Sequence, residues 1–228
     1  MVRRRPPHRF AQILDAALVV FSRQGFRRTQ MSDIAKEAGV APGTLYTYVE
    51  SKEALFALVL ARANDPAAPL PTELPVPAPT GDELTAAIGE GVRWQDRLPA
   101  LHAALRRTRV TDVRAELDAV IGELWELFAD TREVADLLER SARDWPDLAI
   151  VFYAGLRGTL LADLASYVDK RARRGHFAPS DHPDVVARFI IESVVWFARH
   201  RHHDRDIDIP DDVARAVVVP LVVRALLP

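Results

Sequence analysis

A three-residue turn, Gly39-Val40-Ala41, separates two short helical patterns and constrains the fold of the 228-residue chain more than any other feature. The first pattern covers residues 31–38 and stops at Gly39. The second begins at Pro42, which suits the first position of a helix, and continues through Tyr48. Two helices joined by so short a turn, with a glycine in it, form the helix-turn-helix pattern. We therefore expect the N-terminal region to fold as a group of short helices.

Helices are predicted on both sides of this pair. The first has one apolar stripe at helical spacing, formed by Phe10, Ile13, Leu14, Ala17 and Phe21. Gly25 stands in the position of a C-terminal glycine and should end that helix. Ser51 is expected to cap a fourth helix, whose apolar residues include Leu55, Leu58 and Val59.

Residues 64–80 contain six prolines in seventeen positions. Proline at this density is incompatible with a helix interior and favours an extended segment. We interpret the segment as a loop between the fourth helix and the rest of the chain. A partly disordered connector is the expectation, rather than a recognition motif.

The remainder of the chain is predicted to be helical almost throughout, with no strand pattern or internal repeat. The expected helices cover residues 82–94, 98–108, 113–129, 131–143, 146–174, 183–203 and 211–227. The predicted fold class is all-α, with a helix-turn-helix domain at residues 1–52, the head, and a larger helical domain at residues 53–228, the body. The last two helices are apolar on more than one side, so a neighbour or a second subunit must cover them. We expect them to form a homodimer through a four-helix bundle, with a kink at Pro220.

Charge is distributed unevenly between these two parts. The head has nine basic and four acidic residues, whereas the body has 21 basic and 28 acidic residues. A basic module attached to an acidic domain is typical of proteins that bind nucleic acid. The alternative is a basic tail without function. Arg3, Arg4 and Arg5 are predicted to be either an arm that enters a minor groove or a solvated tail.

Residues 9–56 resemble the TetR family of bacterial transcriptional regulators. Similarity to its first two helices and turn is carried by Ile13, Ala16-Ala17, Phe21, Gly25-Phe26 and Ile34-Ala35-Lys36-Glu37-Ala38-Gly39-Val40. Similarity to its recognition helix and fourth helix is carried by Gly43-Thr44-Leu45-Tyr46-Thr47-Tyr48 and Ser51-Lys52-Glu53-Ala54-Leu55. The resemblance implies a ligand-responsive repressor that binds a palindromic operator as a homodimer. A small-molecule effector, bound in the body, would release it.

Some positions depart from the family pattern. Gln30 stands where a hydroxyl N-cap is usual, so Thr29 is expected to cap the second helix instead. Ala41 replaces a usual serine, and Pro42 replaces a residue that is commonly basic or polar. Val49 replaces a usual phenylalanine. The operator sequence of this protein therefore cannot be inferred from that of another family member.

The predicted DNA contacts follow from this resemblance and from side-chain chemistry. They are Thr29, Ser32, Pro42, Gly43, Thr44, Tyr46, Thr47, Tyr48 and Lys52. Threonine offers a hydroxyl to bases or phosphates and a methyl to thymine, while tyrosine and lysine can bind phosphate oxygens. For Thr29 and Ser32, helix capping is an equal alternative. Leu45 is expected in the core.

The predicted effector site lies in the body. Its candidate residues are Trp94, His102, Trp125, Phe128, Phe152, Tyr153 and Arg157. Aromatic side chains can line a cavity in which a few polar groups orient a ligand, and the alternative is that they form the core. The cluster His200-Arg201-His202-His203-Asp204 is interpreted as a polar helix end rather than a zinc site. No metal or cofactor is predicted.

Composition and motifs reduce the number of functional classes to which the protein could belong. The chain has no cysteine, which excludes disulfides and thiol-based sensing. No apolar run approaches the roughly 18 residues of a membrane span, and no signal peptide is recognised, so a soluble, cytoplasmic protein is expected. A nucleophile elbow, a phosphate loop and suitably spaced catalytic carboxylates are all missing from the sequence. An enzyme is therefore a remote alternative, whereas an activator or architectural DNA-binding protein with the same head remains open.

Overall fold

The computed structural model describes residues 7–65, 67–80, 83, 97–204 and 206–228. The regular secondary structure of this described part is helical, with a single isolated β-bridge. This confirms the predicted all-α class. The chain forms two compact units. One comprises Met1–Val92 and Glu133–Gly155, and the other Arg93–Arg132 and Leu156–Pro228. The functional boundary between residues 52 and 53 stays a prediction, because it concerns which part binds DNA.

The described helices follow the predicted order. They are α1 (Pro7–Gln24), α2 (Met31–Glu37), α3 (Pro42–Leu45), α4 (Lys52–Asn64), α5 (Pro99–Arg106), α6 (Val113–Asp130), α7 (Arg132–Ala142), α8 (Pro146–Ala149), α9 (Gly158–Ala172), α10 (Pro183–Ala198) and α11 (Asp211–Leu226). A π-helical segment, Ile150–Arg157, joins α8 to α9, and a short 3-10 helix, His200–His203, follows α10. The helix predicted over 82–94 lies outside the described residues, apart from Glu83.

Backbone geometry explains where the first helices end. Gly25 and Gly39 have φ angles of 79° and 64°, so glycine ends α1 and closes α2 as predicted. A side chain at Gly25 would also meet the carbonyl oxygen of Arg140, 3.2 Å from its Cβ. The predicted cap of α4 is confirmed, since the hydroxyl of Ser51 accepts a hydrogen bond from the backbone N–H of Ala54 at 3.1 Å.

The expected cap of α2 is wrong. Gln30, not Thr29, is the N-cap, and its backbone N–H donates to a carboxylate oxygen of Asp33 at 3.0 Å. The hydroxyl of Thr29 is buried and donates to the carbonyl of Gly25 at 2.7 Å. The carboxylate at the third helical position thus accepts the N–H of the N-cap residue, which is one half of a capping box.

The core of the first unit includes residues far from the head in sequence. The ring of Phe26 lies 4.9 Å from that of Phe56 and 4.6 Å from that of Trp145, centroid to centroid. The backbone N–H of Phe26 donates to the buried hydroxyl of Ser141 at 3.2 Å. Helix α7 and the start of α8 thus complete the apolar core beneath α1 and α4.

The proline-rich segment is extended, as predicted, but it is not a loose connector. Residues 67–80, which we call the proline strap, run back to the residues that follow α3. Val76 and Val49 form a parallel bridge, in which the N–H of Val76 donates to the carbonyl of Tyr48 at 2.8 Å. The N–H of Glu50 donates to the carbonyl of Val76 at 2.9 Å.

In the second unit, α6 packs against α5, α10 and α11, and α9 packs against α5 and α10. A buried ion pair joins two of these helices: the guanidinium of Arg171 on α9 donates to a carboxylate oxygen of Glu116 on α6 at 2.7 Å. The hydroxyl of Tyr167 lies 3.4 Å from the same oxygen. Burial, followed by the charge of Glu116, raises the pKa of Tyr167 well above its usual range.

The cluster around His200–His203 joins α10 to α11. Arg201 is buried and bonds to the carbonyl of Ile209 and to the carboxylate of Asp211, and His202 lies 3.0 Å from that carboxylate. The predicted helix over 183–203 therefore ends at Ala198, and the polar residues after it form a packed connection.

One described helical segment, Pro146–Ala172, is long and apolar enough to cross a membrane, with a mean hydropathy of 1.5 over 18 residues. This segment is an exception to the expectation that no apolar run approaches the length of a membrane span. Arg157 in this segment pairs with Glu192 at 3.0 Å, and Tyr167 is fully buried. Only 22% of that 18-residue window is buried within the described chain, so burial inside the chain does not account for its apolar character.

Candidate nucleic-acid interface

Most of the predicted DNA contacts lie on the accessible side of α2 and α3. Ser32, Pro42 and Gly43 are exposed, Thr44 and Thr47 are half-buried, and Tyr46 is 51% exposed. Leu45 is fully buried, as predicted. Helix α3 ends at Leu45 rather than Tyr48, because the next residues form a turn that leads into the bridge with the proline strap. Helix α3 is therefore a single turn that carries the half-buried Thr44, and the exposed Tyr46 follows directly after it.

Two of the predicted contact residues are buried instead. Tyr48 is 3% exposed, and its ring stacks on that of Phe10 with centroids 5.0 Å apart. Thr29 is likewise inaccessible, with its hydroxyl bonded to Gly25. Thr47 also uses its hydroxyl locally, donating to the carbonyl of Thr44 at 2.7 Å. These side chains stabilise the shape of the interface in the free protein.

Lys52 lies where its ammonium group closes the loop between α1 and α2. The ammonium nitrogen donates to the carbonyls of Phe26 and Thr29, both at 2.9 Å, and lies 3.4 Å from that of Arg27. It also lies 4.4 Å from the centre of the Phe26 ring. Burial is the main cause that lowers the pKa of Lys52 below its usual range. The ammonium group is thus already bound to the protein.

We expect Lys52→Ala to reduce the free energy of unfolding of the head by about 1–3 kcal/mol, because charged hydrogen bonds to several carbonyls are lost. Lys36→Ala is the matched control, since Lys36 is an exposed lysine on α2. Urea denaturation measures both. The salt dependence of DNA binding distinguishes a phosphate contact at Lys52 from a structural role. If Lys52 contacts a phosphate, Lys52→Ala would flatten the slope of log affinity against log salt concentration by about one charge. If Lys52 is only structural, the slope stays unchanged.

Several basic residues of the same unit are exposed but missing from the predicted contacts, and three of them belong to the loop after α1 and to α2. They are Arg27, Arg28 and Lys36. Arg28 lies 3.5 Å from the carboxylate of Asp144. The uneven charge of the head was the signal that pointed to them, but charge alone did not indicate which side chains reach solvent.

The predicted effector residues are divided between the two units. In the first, the ring of buried Phe152 lies 5.0 Å from that of the exposed Tyr153. In the second, Trp125 and Phe128 are buried on α6. His102 lies 3.7 Å from Asp163, and Arg157 pairs with Glu192. Trp94 lies outside the described residues. The contacts of these described residues are core packing and polar pairs within the protein. The effector site stays a prediction.

The second unit also has an apolar groove of about 420 Å³ along α10 and α11. Its lining includes Phe189, Phe197, Val213, Val217 and Leu221. Three of these, Phe189, Val217 and Leu221, are more than half exposed, which is unusual for large apolar side chains on adjacent helices. The groove is a surface suited to another apolar face.

A short helix that follows the four-residue turn at residues 38–41, in a head with nine basic and four acidic residues, is the arrangement of a helix-turn-helix DNA-binding domain. The sequence profile of the bacterial regulatory proteins of the tetR family matches residues 13–59. The fatty acid metabolism regulator protein of Bacillus subtilis is 47% identical over 53 residues, which are 23% of this chain and 26% of that protein. The HTH-type transcriptional repressor KstR of Rhodococcus jostii is 32% identical over 134 residues, 56% of this chain and 63% of that repressor.

A solved structure extends the likeness to the rest of the fold. AibR, solved with isovaleryl coenzyme A and operator DNA, has a TM-score of 0.56 and 17% identity, covering 93% of this chain and 97% of that one. The chain spans about a quarter of the first-named curated relative, so sequence similarity is concentrated in the head. At residues 13–59 the chain is therefore similar to the bacterial regulatory proteins of the tetR family.

Proposed function

We propose that this protein is a cytoplasmic, ligand-responsive transcriptional repressor that binds a palindromic operator as a homodimer. The observation that carries the proposal is the exposed α3, with Thr44 and Tyr46 accessible on a TetR-family head. Such a helix enters the major groove with its N-terminal residues at the base edges. The exposed basic residues Arg27 and Lys36 add attraction to phosphates.

The operator model requires two copies of the head. Recognition helices that read successive major grooves are about 34 Å apart, which a two-fold dimer provides. The apolar groove on α10 and α11 supports a dimer through these helices, because a second copy would cover its exposed side chains. The proposed dimer is the four-helix bundle that the sequence predicts.

The effector is proposed to bind in the body and to favour a conformation in which the two heads no longer fit the operator. AibR, which was solved with a coenzyme A thioester, supports a small-molecule effector and makes acyl-CoA compounds the first to test. Native mass spectrometry of protein purified from its own host, searched for a co-purifying small molecule, tests this part. An activator remains the second candidate, and transcription assays at the selected promoter distinguish the two.

DNA binding is tested by selecting an operator from random DNA and titrating variants by fluorescence anisotropy. Thr44→Ala should reduce discrimination between operator and random DNA by about 1–3 kcal/mol, because a base contact is lost. Tyr46→Phe should weaken binding to both DNAs alike, since the hydroxyl is assigned to a phosphate. Both side chains are accessible, so the melting temperature should stay near that of the wild type.

Tyr48→Phe is the buried control for these variants, because its ring packs on Phe10 within the head. Operator binding by Thr44→Ala that is as tight and selective as wild type would remove Thr44 from base reading. Normal binding by both Thr44→Ala and Tyr46→Phe would show that α3 does not contact DNA.

A further inference from the structure

The recognition helix α3 is too short to fix its own position. It contains only Pro42–Leu45, and so short a helix gains little from its internal hydrogen bonds. Leu45 and Val49 are fully buried and anchor one side. The N–H groups of Tyr48 and Val49 donate to the carbonyl of Leu45, whereas the carbonyl of Tyr48 and the N–H of Glu50 have their partners in the proline strap.

Residues 75–79 have two backbone N–H groups, and both donate to residues 48–50. The sequence there is Pro75-Val76-Pro77-Ala78-Pro79, so only Val76 and Ala78 have a backbone N–H. The N–H of Val76 donates to the carbonyl of Tyr48 at 2.8 Å, and that of Ala78 donates to the carboxylate of Glu50 at 3.2 Å. The carbonyl of Val76 accepts from the N–H of Glu50 at 2.9 Å.

The alternating prolines suit this task physically. Proline restricts the backbone to extended conformations and reduces the entropy that the strap loses when it docks. Because proline lacks an N–H, the prolines also leave no competing donor between Val76 and Ala78. The strap therefore pairs with residues 48–50 in one register.

We propose that the proline strap, through Val76 and Ala78, is a positioning element for operator recognition. By holding residues 48–50, it fixes the end of α3 and thereby the orientation of Tyr46 and Thr47 toward DNA. The inference rests on the proposed function, since it assigns the strap a part in DNA binding. Neither residue is assigned a contact with DNA.

The test compares the full-length protein with Val76→Pro, which removes the donated N–H and keeps an extended backbone. Val76→Thr is the matched control, because it keeps the N–H and nearly the same shape. Fluorescence anisotropy with the wild-type-selected operator and with random DNA is the measurement. Val76→Pro should weaken operator binding about tenfold, as expected for one or two lost hydrogen bonds, and binding to random DNA much less. Val76→Thr should restore the wild-type values.

The outcomes separate this inference from the proposed function. If the wild type selects no DNA sequence, the proposed function fails. If the wild type binds its operator and Val76→Pro binds equally well, or loses operator and random DNA binding in parallel, the strap has no positioning part and the proposed function stands. Should circular dichroism show that Val76→Pro is unfolded, Ala78→Pro takes its place, because it removes only the bond to Glu50. That variant should lose operator affinity about threefold, and wild-type affinity would overturn the inference.

Discussion

Replacing Val217 with glutamate should prevent the proposed homodimer from forming and leave the protein monomeric. Val217 is 53% exposed in the single chain and lines the groove on α10 and α11. In a two-fold dimer both copies of the new carboxylate would be buried in the same apolar interface. Burying an unpaired charge costs on the order of several kcal/mol, so the dimer Kd should rise by more than roughly a hundredfold.

Sedimentation velocity measures this effect, and Ala216→Glu is the control. Ala216 is exposed on the same helix but does not line the groove, so its variant should remain dimeric. Operator affinity should fall with dimerisation in Val217→Glu and stay unchanged in Ala216→Glu. A Val217→Glu protein that sediments as a dimer would place the subunit interface elsewhere.

Sequence periodicity alone does not identify the correct residue for this experiment. Val194 and Val217 both stand on apolar faces of the last two helices. Val194 is fully buried within its own chain, so glutamate there would disrupt the core rather than the dimer. When a helix is apolar on several sides, its sequence does not indicate which side faces its own chain. For α10, the helix that carries Val194, the buried side is determined by the packing of α6 and α9 against it.

Local signals predicted the head well. Gly25, Gly39 and Ser51 act within a few residues of their own position, through backbone conformation or a single cap, and the structure confirms all three. The core beneath them could not be predicted in the same way. The bond from Phe26 to Ser141 joins residues 115 positions apart, and nothing in the local sequence of either indicates the other.

Residue type indicated which side chains have the chemistry to bind DNA, but it did not indicate which of them are buried. Tyrosine in a recognition helix and lysine beside a helix start suit phosphate contacts, which is why Tyr48 and Lys52 were expected to bind DNA. Their actual partners are Phe10 and the carbonyls of the loop after α1, both supplied by tertiary packing. The proline strap was misjudged for a related reason. Proline density predicts an extended backbone, but it does not reveal that the few remaining N–H groups have specific acceptors.

The buried ion pair of the second unit was also invisible in the sequence. Glu116 and Arg171 lie on helices α6 and α9, and each is one of many charged residues on its helix. In the structure the side chain of Arg171 is 0% exposed and that of Glu116 4%. Arg171 also donates to the carbonyl of Ala104 at 2.9 Å, and Arg107 donates to the second carboxylate oxygen of Glu116 at 3.1 Å. The pair therefore ties α5, α6 and α9 together.

Arg171→Met should lower the free energy of unfolding by about 3–5 kcal/mol, because it leaves the carboxylate of Glu116 buried without its main partner. The half-exposed Arg107 compensates only in part. Arg173→Met is the matched control: Arg173 pairs with Asp169 on the same helix, its side chain is 79% exposed, and its loss should cost no more than about 0.5 kcal/mol. Urea denaturation at a fixed protein concentration measures both.

The double variant Glu116→Leu with Arg171→Met should recover much of the loss, because it removes the uncompensated charge together with its partner. If Arg171→Met were as stable as Arg173→Met, the ion pair would not hold α6 and α9 together, and their apolar contacts alone would account for the stability of this unit.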